Sequence, residues 1–150
     1  MKKSMTIFIA LAVLAAGGAA WAATTTVAVS ASVVGTCQFN NAGTIGFGTL
    51  DQVAAPLVNG VVTQPAFWCT KNATYTITDD SGVNEVTPGA RRMANGSDFI
   101  PYTFTYTATG SGTGKTTPIT MNIAATVPAG SYTDVSAGAY TDTVTLTIAP

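Results

Sequence analysis

Polar and apolar residues alternate with a period of two through much of this chain, and this alternation restricts the fold more than any other feature. Along 140–148, Val144, Leu146 and Ile148 fall on one face of an extended segment, and threonines fall on the other. The same alternation occurs at 74–78, 102–107 and 119–123. A strand with this period places one face on a core and the other in water, as strands of antiparallel sheets do. The sequence therefore predicts an all-β chain.

Turn-forming residues separate the predicted strands at short intervals. They occur at Asn59-Gly60, Asp80-Ser81-Gly82, Pro88-Gly89, Asn95-Gly96 and Pro128-Ala129-Gly130. We predict further short strands at 45–50, 57–62 and 64–70, and a mobile Gly/Ser/Thr loop at 108–117. Several short strands at this spacing indicate a β-sandwich.

Threonine is unusually frequent and charged residues are rare. Residues 23–150 contain 26 threonines, and their four cations and seven acids give a formal charge of −3. Thr and Val favour pleated, half-buried surfaces, and the many apolar and β-branched residues argue against disorder. The negative charge excludes the basic surface that nucleic-acid binding requires.

The first 22 residues have the pattern of a secretory signal peptide. Lys2 and Lys3 precede an apolar run at 5–14, and Ala20-Trp21-Ala22 fits an A-x-A cleavage site. A membrane anchor is the alternative, but the run is short for a membrane span. We therefore expect export, with cleavage after Ala22.

The two cysteines, Cys37 and Cys69, are predicted to form a disulfide. An exported chain enters an oxidising compartment, and two cysteines allow one intramolecular pairing. Closing a loop of about 33 residues stabilises the fold by roughly 3–4 kcal/mol on the chain-entropy model. Two cysteines without histidine supply too few ligands for a metal site, so we expect neither a metal nor another cofactor.

Residues 24–34 form the segment with two open interpretations. Val27, Val29, Ala31 and Val33 alternate with small polar residues, and the segment contains neither charge nor proline that would discourage edge pairing. It is either the first strand of the same sandwich or a donor strand that completes a sheet in another molecule. The alternation alone does not separate these interpretations.

The sequence gives little basis for catalysis. It contains no histidine, the usual general base. Asp79-Asp80 is interpreted as a solvated turn, and the acids Asp134 and Asp142 as partners of nearby main-chain groups. Arg91-Arg92 is interpreted as a solvated turn or a groove rim, with binding of an anionic partner as the alternative. Trp68 is expected to pack on the disulfide or core, with a sugar platform as the alternative. We therefore expect a protein that is not an enzyme.

Several motifs together resemble the spore coat protein U-like domain family, which includes subunits of archaic, Csu-type chaperone–usher pili. The resemblance spans about 36–148. Its motifs, in order, are Cys37, Gly46-Phe-Gly-Thr-Leu-Asp51, Phe67-Trp-Cys-Thr70, Arg91-Arg-Met93, Pro101-Tyr102 and Gly138-Ala-Tyr-Thr-Asp-Thr-Val-Thr-Leu-Thr-Ile148.

The resemblance implies an incomplete immunoglobulin-like β-sandwich that a donated N-terminal strand completes. On this basis 1–22 is the signal peptide, 23–35 the donor strand and 36–150 the pilin domain. Val144, Leu146 and Ile148 would form the acceptor-groove strand, with no further strand after them. The implied partners are a periplasmic pilus chaperone, an outer-membrane usher and neighbouring pilin subunits.

The implied function is a structural subunit of a fimbrium or a related coat polymer at the cell surface. It would serve surface attachment and biofilm formation. The alternative is a secreted monomeric binding module, for carbohydrate or a surface ligand, in which 24–34 folds into its own sandwich.

Overall fold

The structure is a computed structural model that describes residues 21–150, so most of the predicted signal peptide lies outside the described residues. The chain divides into two compact units between Ser32 and Val33. In the described part, no helix is long and apolar enough to cross a membrane.

The prediction of an all-β chain is confirmed, since the described residues form strands and turns without helices. The strands are β1 (Cys37–Phe39), β2 (Thr44–Gly46), β3 (Val58–Asn59), β4 (Val61–Thr63), β5 (Ala66–Cys69), β6 (Thr74–Asp79), β7 (Arg92–Asn95), β8 (Asp98–Pro101), β9 (Thr103–Thr105), β10 (Thr109–Ser111), β11 (Ile119–Thr120), β12 (Ala124–Val127) and β13 (Leu146–Ala149).

Two antiparallel three-stranded sheets join to build one layer of the sandwich. Their strand orders are β1-β5-β11 and β3-β12-β9, and β2 pairs with β4 beside them. The Gln64 side chain bridges the two sheets, because its Nε2 donates to the carbonyl of Ile123 and its Oε1 accepts from the Ile123 N–H, both at 2.8 Å. A side-chain amide therefore takes the place of a main-chain pair where the layer bends.

The other layer is the antiparallel sheet β10-β6-β13. Alternation places Tyr75 and Ile77 of β6 in the core and its threonines in water. The Phe67 ring of β5 meets the Tyr75 ring edge-on, with 4.9 Å between centroids. The aromatic pair thus joins the two layers across the core. The largest fully buried side chains are Tyr132, Phe67, Ile77 and Val127.

Cys37 and Cys69 form a disulfide between directly opposed residues of β1 and β5. The β7–β8 hairpin turns at Gly96 and Ser97, where Gly96 has a φ of 61°. A positive φ suits glycine, so the Asn95-Gly96 signal in the sequence marks a real hairpin.

Several predicted segments differ from the structure in their bounds. The strand expected at 45–50 is regular only over β2, and the strand expected at 57–62 divides into β3 and β4. The strand expected at 140–148 is regular only over β13, which pairs with β6. Because β6 ends at Asp79, the residues at 141–145 bond to non-strand segments and to β7 rather than to β6. The predicted loop at 108–117 contains β10, which pairs with β6. The strand expected at 119–123 divides into β11 and β12 at the bend that Gln64 bridges.

Residues 21–36 form no strand. Val27, Val29 and Val33 are 82%, 91% and 84% exposed. An uncharged, β-prone segment with exposed valines is a surface suited to pairing with another chain.

Candidate assembly groove

An apolar groove runs between the segment 44–52 and the segment 135–146. It consists of two adjoining cavities of about 430 and 690 Å³, which share Ile45, Phe47, Met93 and Tyr140. Buried side chains from strands and from the segments between them form its floor: Ile100, Tyr102, Phe104, Ile123 and Tyr132. The core of the sandwich is therefore accessible from this side.

One wall of the groove is β2. This strand pairs with β4 along one edge, and in the described part of the chain its other edge has no strand partner. Ile45 points toward the groove and packs against the core, while Thr44 and Gly46 on either side are exposed. The unpaired edge of β2 is thus available to a further strand.

The opposite wall is the segment 141–146, which is held from its outer side. Thr143 and Thr145 accept main-chain hydrogen bonds from Val83 (3.1 Å) and Asp80 (3.2 Å). In the described residues, the main-chain groups of Asp142 and Val144 make no hydrogen bond. Since neighbouring residues of an extended chain point to opposite sides, these groups form a second unpaired edge facing the groove.

Hydrogen bonds of the Asp142 side chain connect this wall to Tyr102 in the floor of the groove and to Asn84 in the supporting loop. Its Oδ2 accepts from the Tyr102 hydroxyl at 2.6 Å, and its Oδ1 accepts from the N–H and the Nδ2 of Asn84 at 3.2 and 3.1 Å. Burial and the Asp142 carboxylate raise the pKa of Tyr102 far above its usual 10.0. The phenol is therefore protonated and donates at any physiological pH.

A second polar cluster lies next to the first. Asp79 forms an ion pair with Arg91, whose guanidinium lies 5.1 Å from the centroid of the Phe104 ring. The Tyr106 hydroxyl also donates to Asp79 at 2.8 Å, and burial together with the Asp79 carboxylate raises the pKa of Tyr106 to about 12. Burial disfavours the Asp79 carboxylate, but the hydrogen bonds from Arg91, Tyr106 and the Ser81 N–H outweigh it and lower its pKa.

These contacts correct three interpretations made from the sequence. Asp79 is not in a solvated turn, and Arg91 is not a solvated turn residue, because their side chains pair at 12% exposure each. Arg92 lies over the Phe99 ring at 3.6 Å from the centroid. Asp142 binds side chains distant in sequence rather than its local main chain.

The predicted groove residues divide into two groups. Val144 and Leu146 line the groove, whereas Ile148 packs against the core without lining it. The predicted donor residues Val27, Val29, Ala31 and Val33 lie outside any strand and are exposed. Sequence reasoning missed the other wall, Ile45 and Phe47, although their spacing of two residues was a signal for a shared face.

Trp68 also differs from its expected position. It was expected to pack on the disulfide or core, but alternation in β5 turns Phe67 and Cys69 inward and Trp68 outward. The indole is half-buried on the outer face, with the Lys115 Nζ 5.5 Å from its ring centroid.

The fold and the groove define a class of protein: a β-sandwich domain whose core remains open along one side between two unpaired strand edges. A sequence profile of the Spore Coat Protein U domain matches residues 23–147. The chain belongs to the Spore Coat Protein U domain family.

The chain is also similar to a protein in a crystal structure of the CsuC–CsuE chaperone–tip adhesion subunit pre-assembly complex from archaic chaperone-usher Csu pili of Acinetobacter baumannii. The identity is 23% over 77% of this chain, with a TM-score of 0.46. The match covers 40% of that protein's chain. A search of curated protein sequences gives no match.

Proposed function

We propose that this protein is a structural subunit of a chaperone–usher pilus or related surface polymer, assembled by donor-strand exchange. The observation that carries the proposal is the groove, which has an apolar floor and an unpaired main-chain edge on each side. A strand that entered it would pair on both edges and bury its inward side chains. Membership of the Spore Coat Protein U domain family supports the same function.

The occupant that fits this groove is the segment 24–34 of another copy or of a related subunit. Its exposed valines alternate with small residues, as an inserted strand requires. Burying one valine stabilises the complex by about 1.5–3 kcal/mol as an upper bound. Three buried valines and two new ladders of hydrogen bonds would together hold one subunit to the next.

The remaining partners follow from the open groove. A subunit with an exposed core needs protection before assembly, so a periplasmic chaperone would cover the groove and an outer-membrane usher would drive the exchange. The product is a fimbrium at the cell surface that serves attachment and biofilm formation. In this proposal the protein is structural and has no enzymatic activity.

The experiment compares arginine at the two faces of the donor segment. In Val29→Arg the charge would enter the groove, whereas in Ser30→Arg it would point outward. The exported protein is analysed by size-exclusion chromatography and on an unboiled detergent gel. We expect native protein and Ser30→Arg to give a heat-labile ladder, and Val29→Arg to give none while its subunit stays folded with the chaperone.

Two results would overturn the proposal. One is a normal ladder from Val29→Arg, which would mean that residue 29 does not enter a groove. The other is a stable native monomer that unfolds when 23–34 is deleted. That result would place the strand in its own sandwich and favour a monomeric binding module.

A further inference from the structure

Trp68 lies at the centre of an outward sheet face, away from the groove. Trp68 is on β5, directly opposite Gln38 of β1, and the Gln38 side chain is exposed. The Lys115 ammonium lies over the indole ring of Trp68, 5.5 Å from the ring centroid. An aromatic ring beside an amide and an amine is a combination that offers both a stacking surface and hydrogen-bond donors.

Two loops that flank this face are fixed by main-chain hydrogen bonds. Asn72 N–H donates to Gly112 (2.8 Å), Gly112 N–H donates to Ala73 (2.7 Å), and Gly114 N–H donates to Cys69 (3.0 Å). The turn that carries Lys71 is thereby held against the loop that carries Lys115. A Cβ placed on Gly114 would lie 3.8 Å from the Cβ of Lys71.

Both lysines of the mature chain, residues 23–150, lie on the two loops beside this face. All seven acids lie on other segments, namely Asp51, Asp79, Asp80, Glu85, Asp98, Asp134 and Asp142. Among the described residues the one ion pair joins Arg91 to Asp79, so neither lysine is paired with an acid.

We propose that Gln38, Trp68, Lys71 and Lys115 form a binding site for an acidic, uronate-containing polysaccharide. A sugar ring displaces the Lys115 ammonium from above the indole and stacks its C–H face there, and the sugar carboxylate accepts charge-assisted hydrogen bonds from the displaced ammonium and from Lys71. Gln38 supplies an amide for the sugar hydroxyls. In a protein of net negative charge, the unpaired Lys115 at the ring and the unpaired Lys71 on the adjoining turn favour an anionic sugar over a neutral one.

Trp68 provides a direct readout, because it is the only tryptophan in a chain cleaved after Ala22. The exported full mature protein is titrated with polygalacturonate oligomers, with neutral dextran oligomers of the same length, and with vesicles of anionic lipid. Fluorescence and calorimetry are recorded for native protein, Lys115→Gln, Lys71→Gln and Leu57→Ala. Leu57→Ala is a matched surface control, since Leu57 is exposed and lies elsewhere.

A second variant pair separates a local site from overall charge. Lys115→Gln combined with Val53→Lys restores the net charge at a residue that is 98% exposed on another loop. We expect native protein and Leu57→Ala to bind polygalacturonate with a saturable change in Trp68 fluorescence. We expect each lysine variant to bind about tenfold more weakly, and the charge-restored double variant to remain as weak as Lys115→Gln.

The proposal would be overturned if polygalacturonate gave no saturable fluorescence change, or if dextran gave an equal response. It would also be overturned if both lysine variants kept the native affinity, or if binding recovered in the charge-restored variant. Binding only to vesicles of anionic lipid would also overturn it. None of these results depends on whether the subunit polymerises, so this site and the donor-strand proposal succeed or fail separately.

Discussion

The hydroxyl of Tyr102 donates to the carboxylate of Asp142 at 2.6 Å, and this bond joins the floor of the groove to its wall. Tyr102 is buried, whereas Asp142 belongs to a segment whose main chain is unpaired on the groove side. The bond holds that segment in place. Its geometry therefore connects the stability of the subunit with the shape of the groove.

Tyr102→Phe leaves the Oδ2 of Asp142 without its donor, while the Oδ1 keeps its hydrogen bonds from Asn84. We expect the free energy of unfolding to fall by about 1–3 kcal/mol, the range for an unsatisfied partly buried acceptor. Urea denaturation followed by circular dichroism measures the change. Tyr140→Phe is the control, because its hydroxyl bonds the exposed carbonyl of Ser136. Equal losses in the two variants would contradict the prediction.

Asp79 makes the stability depend on pH in the acid range. Its pKa is lower in the folded protein than the usual 3.8, because hydrogen bonds from Arg91, Tyr106 and Ser81 outweigh the effect of burial. The folded state thus binds fewer protons, so the stabilisation is present above about pH 4 and is lost as the pH falls through the folded pKa.

The measurement is the free energy of unfolding from pH 6 to pH 2 for native protein and Asp79→Asn. We expect the variant to be less stable at neutral pH, because Arg91 loses its acid, and to lose less stability on acidification. Asp134→Asn removes the same charge from an exposed position and serves as control. A slope for Asp79→Asn as steep as that of the native protein would refute the assignment.

Reduction of the Cys37–Cys69 disulfide is expected to lower the free energy of unfolding by roughly 3–4 kcal/mol, from the 32-residue separation of the cysteines. The bond joins β1, the strand that follows the N-terminal segment, to the central strand of its sheet. Urea midpoints with and without a reductant measure the effect. The double variant Cys37→Ser/Cys69→Ser should match the reduced protein and should not respond to the reductant.

Gln64→Leu tests the side-chain amide that bridges the bent layer. The substitution removes both hydrogen bonds to Ile123, and we expect a loss of about 2–3 kcal/mol, since two main-chain groups lose their partners. Gln52→Leu is the matched control, because Gln52 donates a single exposed bond to Val135. A larger loss in the control than in Gln64→Leu would show that the bridge contributes little.

Features that depend on one short segment could be predicted from the sequence. The inward positions of Tyr75 and Ile77 follow from alternation within a single strand, and the hairpin at Gly96 follows from local turn chemistry. Val144 and Leu146 pack against the core, as the alternation in their segment predicts.

Features that depend on distant segments could not be predicted. The groove brings Phe47 close to Tyr140, and no period within either segment indicates that the two meet. The sequence does not reveal the ion pair of Asp79 with Arg91, because each residue is next to another residue of the same charge and turn-forming residues lie nearby. The prediction from the sequence placed Trp68 on the wrong face of its strand. Phe67, Trp68 and Cys69 form a continuous apolar run, so polarity does not indicate which of them points outward.

The two facing edges of the groove also determine how a joint between subunits would respond to pulling. A strand paired along both sides and pulled along its own axis loads all its hydrogen bonds in shear, so they must break together rather than one after another. Resistance of this kind is set by the barrier to withdrawal and not by the binding equilibrium. A filament joined in this way would withstand fluid flow for long periods, even where each subunit alone is only marginally stable.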